Sequence, residues 1–392
     1  MSITIIGGGM AGTTLALAIS HMSRGALSID LVEALNPESR DHPGFDTRAV
    51  ALTDGTRREL TAIGLWSALA PYTTPITQVE VSEKGHLGKV CLRARDYHVP
   101  ALGYVLELHA AGKQLFDLLY QAPGVKLHCP ASFQNIRREK DGSFIFLNNG
   151  VALNAKLVVV ADGSQSPLAA QCGIRWRQWD YQQIAIIANI RTTVPHGGTA
   201  FERFTPQGPL ALLPISRARS ALVWCLPAAH AQEITAWHEE QFCQKLQQAF
   251  GWSLGRITTA SERRYYPLRL RTAEQHISHR IALVGNVAQT LHPIAGQGFN
   301  LGLRDVMTLA ETLVQAEEKK MDLGAYAVLL AYQKRRQPDQ SVIITITDGL
   351  IHLFCNRYLP LVAVRNIGML AMAYIPSLRT GLARKTLGWV AR

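Results

Sequence analysis

The opening of the chain admits few folds. Ser2-Ile-Thr-Ile-Ile6 reads as a buried strand and runs straight into Gly7-Gly-Gly9-Met-Ala-Gly12, after which apolar residues recur with helical period over Thr13 to His21. A second β-rich run, Leu27 to Val32, ends on Glu33, about 20 residues beyond the last glycine. Strand, G-x-G-x-x-G, helix, strand and acid in this register predict a dinucleotide-binding βαβ unit. Gly7 permits the tight turn, Gly9 lets backbone approach a pyrophosphate, and Gly12 lets the helix pack on the strand. The helix start offers unpaired N–H groups and a positive dipole end to the phosphates. Glu33 can accept both hydroxyls of an adenosine ribose. Read alone, the run could be an ordinary glycine-rich turn, and it does not separate FAD from NAD.

At 392 residues the chain is too long for one compact core and divides more naturally into two domains. With 47% apolar and 18% charged residues it has the composition of a soluble globular protein. The six cysteines (Cys91, Cys129, Cys172, Cys225, Cys243 and Cys355) form no C-x-x-C pair and no cluster with His at ligand spacing. They read as reduced thiols of a cytoplasmic protein, and no metal site is expected. No signal-type opening appears, and no run of about 18 apolar residues suggests a membrane span.

The net charge of +11 raises nucleic acid as a partner, but the basic residues are dispersed and no nucleic-acid motif accompanies them. We therefore expect no nucleic-acid partner. The local excess lies after Gly349, where Arg357, Arg365, Arg379, Arg384, Lys385 and Arg392 occur without an acid. The same tail carries Leu353, Phe354, Tyr358, Leu359, Leu361, Ile367, Met369, Leu370, Met372, Tyr374 and Trp389. Two compatible readings follow: helices lying on an anionic membrane surface, or a helical cap packed on the domain.

Three further stretches matter. Lys156 to Ala161 is a strand pattern followed by Asp162-Gly163 and Ser166. Arg280 to Val284 is another, followed by Gly285-Asn286 and then His292-Pro-Ile-Ala-Gly-Gln-Gly-Phe-Asn-Leu-Gly-Leu-Arg-Asp305. Arg48 lies within Asp46 to Leu52. Together these resemble the flavoprotein aromatic hydroxylases of the para-hydroxybenzoate hydroxylase type. The similarity is closest to the ubiquinone-biosynthesis branch that acts on 2-polyprenyl-6-methoxyphenol, and it runs from end to end.

The resemblance implies non-covalent FAD, with NAD(P)H as a transient donor. Oxygen would pass from O₂, through a flavin C4a-hydroperoxide, to the ring of a polyprenylated phenol. Arg48 would contact the diphosphate or ribityl region, and Asp162 and Gly163 would serve both FAD and the donor. Gly285-Asn286 stands where the family has Gly-Asp, so Asn286 would hold the ribityl chain through its amide. His292, Pro293, Gly296, Gly298, Phe299 and Asn300 would wall the flavin ring. Independently, the spacing Phe299, Leu301, Val306, Leu309, Leu313 predicts a helix starting behind the glycines, its positive end suited to the negative charge of reduced flavin. Leu168 stands where the family carries an arginine near the donor.

Plainer readings accompany several residues. Asp162-Gly163 can be only a turn, and His292 can be loop wall rather than base. Arg263 and Arg264 beside Tyr265 and Tyr266 read better as a solvated strand edge than as a substrate pocket. Trp176, Trp179 and Tyr181 read as a core or interdomain cluster.

We expect an α/β protein, α+β overall. A discontinuous Rossmann-like FAD-binding domain (1–75, 101–175, 276–340) would carry a mostly antiparallel substrate domain (76–100, 176–275) and a helical tail (341–392). Strand-like runs such as Gln183 to Ile190, Leu210 to Leu213 and Ser220 to Leu226 would supply that sheet. Rival functions are a flavin reductase or epoxidase of an isoprenoid lipid, and a flavin-binding scaffold among other ubiquinone-biosynthesis proteins. The expected location is the cytoplasm, peripheral to the inner membrane or within a soluble biosynthetic complex. A homo-oligomer remains open.

Overall fold

The computed structural model describes residues 2–36, 48–216, 218–356 and 358–389. Asp46, Thr47, Arg357 and Arg392, singled out above, lie outside these ranges. Six strands form one sheet in the order Ile277–Ser278, Ile281–Leu283, Leu157–Val160, Ser2–Ile6, Ser28–Val32, Val125–His128. Every pairing is parallel except that of the edge strand Ile277–Ser278. Covered on both faces, the central strands need continuous apolar runs, and Leu157–Val160 is buried at every position. The helix after the glycines spans Met10–Ser23, a turn longer at its start than the apolar spacing suggests.

A second sheet of nine strands includes Gln78–Glu83, Lys89–Arg93, Trp176–Thr192, Thr199–Thr205, Gly208–Ser216, Arg219–Pro227 and Arg264–Ala273. It is antiparallel throughout except where Thr199–Thr205 runs parallel to Gln78–Glu83, the seam between two distant parts of the chain. One face carries Ile186, Leu210, Leu212, Leu222 and Trp224 against Phe242 and Leu246 of the helix Glu239–Phe250. Strand alternation sends Ala185, Ala211, Ala221 and Val223 to the other face, which is therefore shallow at these positions. The α/β architecture expected from the sequence, with its added antiparallel sheet and helical C-terminal region, is the one found.

Two long helices, Gln297–Glu318 and Tyr326–Phe354, are joined by a buried polar hub. Asp305 is fully buried. It accepts hydrogen bonds from Arg336 Nε at 2.7 Å, from Gln340 Nε2 at 2.9 Å and from Gln289 Nε2. Arg304 and Arg336 both pair with Asp339 at 2.9 Å. The second helix runs unbroken past residue 340, where the sequence reading places a division. Pro338 sits inside it, and the side chains on either side bind the hub, holding the helix together where a proline would ordinarily end it.

The tail helices Leu359–Tyr374 and Pro376–Thr386 follow. Arg365 is buried against Glu83 and donates to the Leu353 and Asn356 carbonyls at 2.7 Å, so it is a structural cation. Phe354 stacks on Phe204 with centroids 3.7 Å apart, and the Trp389 indole N–H donates to Asp54 at 2.9 Å. One face of the tail is thus a cap.

Breaking a buried pair by removing one partner leaves an uncompensated charge. Arg336→Met is expected to destabilise the protein by about 3–5 kcal/mol, read as a lowered urea midpoint. An unchanged midpoint would mean that Gln340 and Gln289 alone satisfy Asp305.

Candidate active site

The glycine turn is built from contacts that side chains would forbid. Gly7 has φ +103°, and a Cβ there would lie 2.6 Å from the Ala161 carbonyl. A Cβ on Gly12 would lie 1.8 Å from the Gly7 oxygen, so the helix touches the strand backbone to backbone. Gly9 is the N-cap, with no side-chain cap and no acid in the first turn. Glu33, buried, accepts hydrogen bonds from the N–H groups of Gly8 and, at 2.9 Å, of Leu35, which fixes its carboxylate beside the turn.

Gly285 brings the other segments to the same place. A Cβ on it would meet Ala11 at 3.0 Å, and a Cβ on Gly302 would meet the Gly285 Cα at 3.1 Å. The early turns of both helices therefore converge on this glycine. Asn286 beside it is exposed, and among the described residues no side-chain hydrogen bond engages its amide. Asp162 follows the strand Leu157–Val160; its Oδ2 accepts from Ser166 at 2.8 Å, while Oδ1 is buried with no partner among the described residues. Burial pushes this carboxyl up to about 6. Gly163, at φ +92°, opens onto free space. Leu168 is wholly buried in the core. Arg48 lies over the Tyr266 ring at 5.5 Å.

The turn before the helix Gln297–Glu318 is sharply bent. Ala295 (φ 54°, ψ 14°) and Gly296 (φ 60°, ψ 26°) are both left-handed, and the helix starts at Gln297. Gly298, Phe299 and Asn300 thus lie in its first turn rather than ahead of it. This start, too, has neither a capping side chain nor an acid in its first turn.

Asn300 is fully buried. Its Oδ1 accepts from Thr53 N at 2.9 Å and Thr56 Oγ1 at 2.8 Å, and its Nδ2 donates to the Ala51 and Gly296 carbonyls at 2.8 Å. All four bonding positions of the amide are used within the chain. The side chain therefore staples the turn to the strand Ala49–Thr53, and its service to a flavin ring is to hold that wall in place.

His292 is buried, with Nε2 3.1 Å from Gln183 Oε1 and the Tyr181 ring edge-on at 5.2 Å. Burial pushes the imidazole down to about 4, so it is neutral near pH 7. Tyr181 donates to Asp348 at 2.9 Å, and Trp176 donates to the Val287 carbonyl at 2.9 Å, so both tie elements together. Trp179 departs from the cluster expected of it: it is 59% exposed, on the part of its strand beyond the core. Arg263 lies over the Phe242 ring at 5.1 Å, away from the glycine junction.

Sequence reasoning missed Glu202. It sits on that other face of the nine-stranded sheet, in a narrow cleft lined by Pro209, Ala211, Val223, Cys225, Pro293 and Ile294. Its signal, one acid inside Thr199–Thr205, reads as a solvent-facing residue until the second face of the sheet is known to be covered.

The site suits FAD. Two uncapped helix starts leave N–H groups for anionic phosphate or reduced flavin. The buried Asp162 oxygen lacks a donor that a hydroxyl could supply. The Gly7–Gly12 contact leaves no side chain in the cradle.

Comparison with known proteins agrees. Residues 1–345 match the family described as FAD binding domain. The chain is 35% identical to ubiquinone hydroxylase UbiL of Rhodospirillum rubrum, over 98% of this chain and 89% of that protein. It is 31% identical to 3-demethoxyubiquinol 3-hydroxylase of Escherichia coli, over 98% of each. The crystal structure of p-nitrophenol 4-monooxygenase from Pseudomonas putida has the same fold, with TM-score 0.79 and 17% identity over 98% of each chain.

Gly12→Ala would drive a methyl group into the Gly7 carbonyl and open the cradle. The purified variant is expected to be colourless, with its flavin absorbance lost relative to protein absorbance. Full FAD occupancy in that variant would contradict this placement of the cofactor.

Proposed function

The chain belongs to the FAD-binding-domain family and is an FAD-dependent aromatic monooxygenase, and from that premise we propose that it hydroxylates the ring of a polyprenylated phenol in ubiquinone biosynthesis. The substrate we assign is a 2-polyprenyl-6-methoxyphenol, converted to the 1,4-benzoquinol. The observation that carries this reading is the cleft between the sheet and the turn Pro293–Gly296, whose lining around Glu202 (Pro209, Ala211, Val223, Cys225, Pro293 and Ile294) is largely apolar and suits an aromatic ring with an isoprenoid chain.

When bound, the flavin takes electrons from NAD(P)H and delivers one atom of O₂ to the ring. The protein supplies placement. Asn300 holds the wall, the helix start at Gly296 offers N–H groups toward it, and Pro209, Val223 and Ile294 keep water from the reacting carbon. His292, neutral and held by Gln183, shapes the loop. Asp162, Gly163, Asn286 and Arg48 are assigned to the cofactor's ribityl and diphosphate parts.

We place the protein peripherally on the cytoplasmic face of an anionic membrane, through its tail. Tyr358, Leu359, Val364, Ile367, Leu370, Tyr374 and Leu378 are exposed on the tail, with Ile367 at 66%. Arg384 and Lys385 are exposed beside them, whereas Arg379 is half-buried and Arg365 is spent on Glu83. Among the described residues no single helix is long and apolar enough to cross a membrane, and the two tail helices meet at 97°. An apolar face with cations at its margin matches a surface that is greasy within and negative outside. The tail also reaches the site: Gln297 Nε2 donates to the Thr386 carbonyl at 3.1 Å.

Two experiments test this. Cells lacking the protein are expected to accumulate a polyprenyl-methoxyphenol one ring hydroxyl short of its successor, seen by lipid mass spectrometry; an unchanged quinone pool would exclude the assignment. Arg384→Glu with Lys385→Glu should weaken binding to anionic vesicles by about 1 kcal/mol or more per charge, most at low salt, while turnover on a soluble short-chain phenol persists. Vesicle binding that ignores both reversals would leave the tail as a cap alone.

A further inference from the structure

Glu202 is a carboxylate without a structural reason to be where it is. Its strand is interior to the nine-stranded sheet, with Val81 opposite on one side and Ala211 on the other, followed across the sheet by Val223, Ile187 and, at the far end of the row, Arg264. Alternation puts Arg203 and Glu80 on the opposite face, where Arg203 bonds Ser82 Oγ at 3.3 Å and the Ala249 carbonyl at 3.1 Å. Among the described residues no cation stands against Glu202. Of the groups around it, the Cys225 thiol faces it, itself pushed well up by burial, and Glu83, two residues along the neighbouring strand on the same face, is paired with Arg365. Among the described residues the polar group that approaches it is the backbone N–H of Ala295, the left-handed residue ahead of the helix Gln297–Glu318. Glu202 is only partly exposed, and a carboxylate set among apolar side chains without a cation is costly to keep charged. Such a group fits a ligand that brings a donor.

We propose that Glu202 is a catalytic residue that accepts the hydrogen bond of the substrate's phenolic hydroxyl and takes its proton as oxygen is transferred to the ring. This rests on the ring-hydroxylation reading above. The cleft places the carboxyl beside Pro293 and Ile294, so a ring lying against that wall presents its hydroxyl to the sheet. As an electrophilic oxygen attacks the ring, the O–H bond breaks heterolytically. Its electron pair remains on the phenolic oxygen and feeds the attacked carbon, and the proton moves to the carboxylate. When the ring carbon loses its hydrogen as a proton to water, balancing the proton taken up as the second oxygen atom of O₂ leaves as water, aromaticity returns and Glu202 gives its proton back to the same phenolic oxygen. The step consumes no oxidant beyond the reaction's own O₂ and NAD(P)H. Desolvation pushes the carboxyl up to about 7, where a general base works best near neutral pH. Below that value it is protonated and cannot accept, so the rate should rise as pH climbs through it. His292, pushed down to about 4, would place such a limb far lower.

The test uses FAD-loaded enzyme and 2-methoxy-6-prenylphenol with its methyl ether as the non-donating analogue. Wild type should show kcat rising through about pH 7 and should prefer the phenol over the ether in binding by about tenfold or more. Glu202→Gln should keep its FAD and its urea midpoint, lower kcat by about 100-fold, erase the limb near neutrality and lose most of the preference. Glu202→Asp should retain the limb at reduced rate. The proposal is overturned if Glu202→Gln stays within about twofold of wild-type kcat with the same pH profile, or if wild type binds phenol and ether alike. That binding comparison decides the matter even should the Gln variant fail to hold FAD. A wild-type enzyme that discriminates phenol from ether yet forms no ring hydroxyl would instead fault the functional reading.

Discussion

The cofactor side of this molecule depends on backbone touching backbone at glycines. Gly12 rests on the Gly7 carbonyl and Gly302 on Gly285, at separations where a Cβ would stand 1.8 and 3.1 Å from its neighbour. Side chains normally hold elements 8–10 Å apart; removing them lets two helices and two strand ends share one small volume. Both helices bring their positive ends, and both arrive without a capping side chain. An end left this way has unsatisfied N–H groups and a partial positive charge. The fold tolerates that because a dinucleotide with negative phosphates, and a flavin that becomes negative on reduction, can satisfy them.

Holding the junction requires rigidity behind it, and the chain supplies this through buried polar bonds. Asp305 receives three donors from two distant segments, and Asn300 uses its whole amide to hold the turn against the strand Ala49–Thr53. Four residues separate the two along one helix, so a single short segment both shapes the ring wall and locks it to the long helix Tyr326–Phe354. The nine-stranded sheet divides its faces differently. Bulky residues fill the face under Glu239–Phe250, while alanines and valines leave the other shallow. Glu202 stands in the apolar cleft of that face with no cation against it among the described residues.

Local features were the legible ones. The opening fingerprint is written within about 30 residues, and strands buried on both faces announce themselves as apolar runs; the α/β class followed from these, while FAD came with the stretches around Asp162, Gly285 and His292 to Asp305 through the family they resemble. Long-range pairing was not legible. Arg365 looked like a surface cation, yet Glu83, 282 residues away, buries it. Asn300 looked like a ring contact, but a side chain's four partners depend on elements that only the fold brings together. Trp179 looked like core because aromatic residues usually are, whereas its end of the strand is exposed. Glu202 reads as a polar residue on an alternating strand, and which face is covered is a property of the assembled sheet. The tail was read as cap or membrane face; the structure shows one side packed and the other exposed, so composition alone could not separate them.

The central claim is that this flavin site puts oxygen on an aromatic ring. Its most direct test is single-turnover incubation of the FAD-loaded protein with NADPH and 2-methoxy-6-prenylphenol under oxygen-18 gas, followed by mass spectrometry of the extracted phenol. The account predicts one oxygen-18 atom in a new ring hydroxyl for each substrate molecule turned over. NADPH consumed with only hydrogen peroxide formed, or a product whose new oxygen came from water, would contradict it.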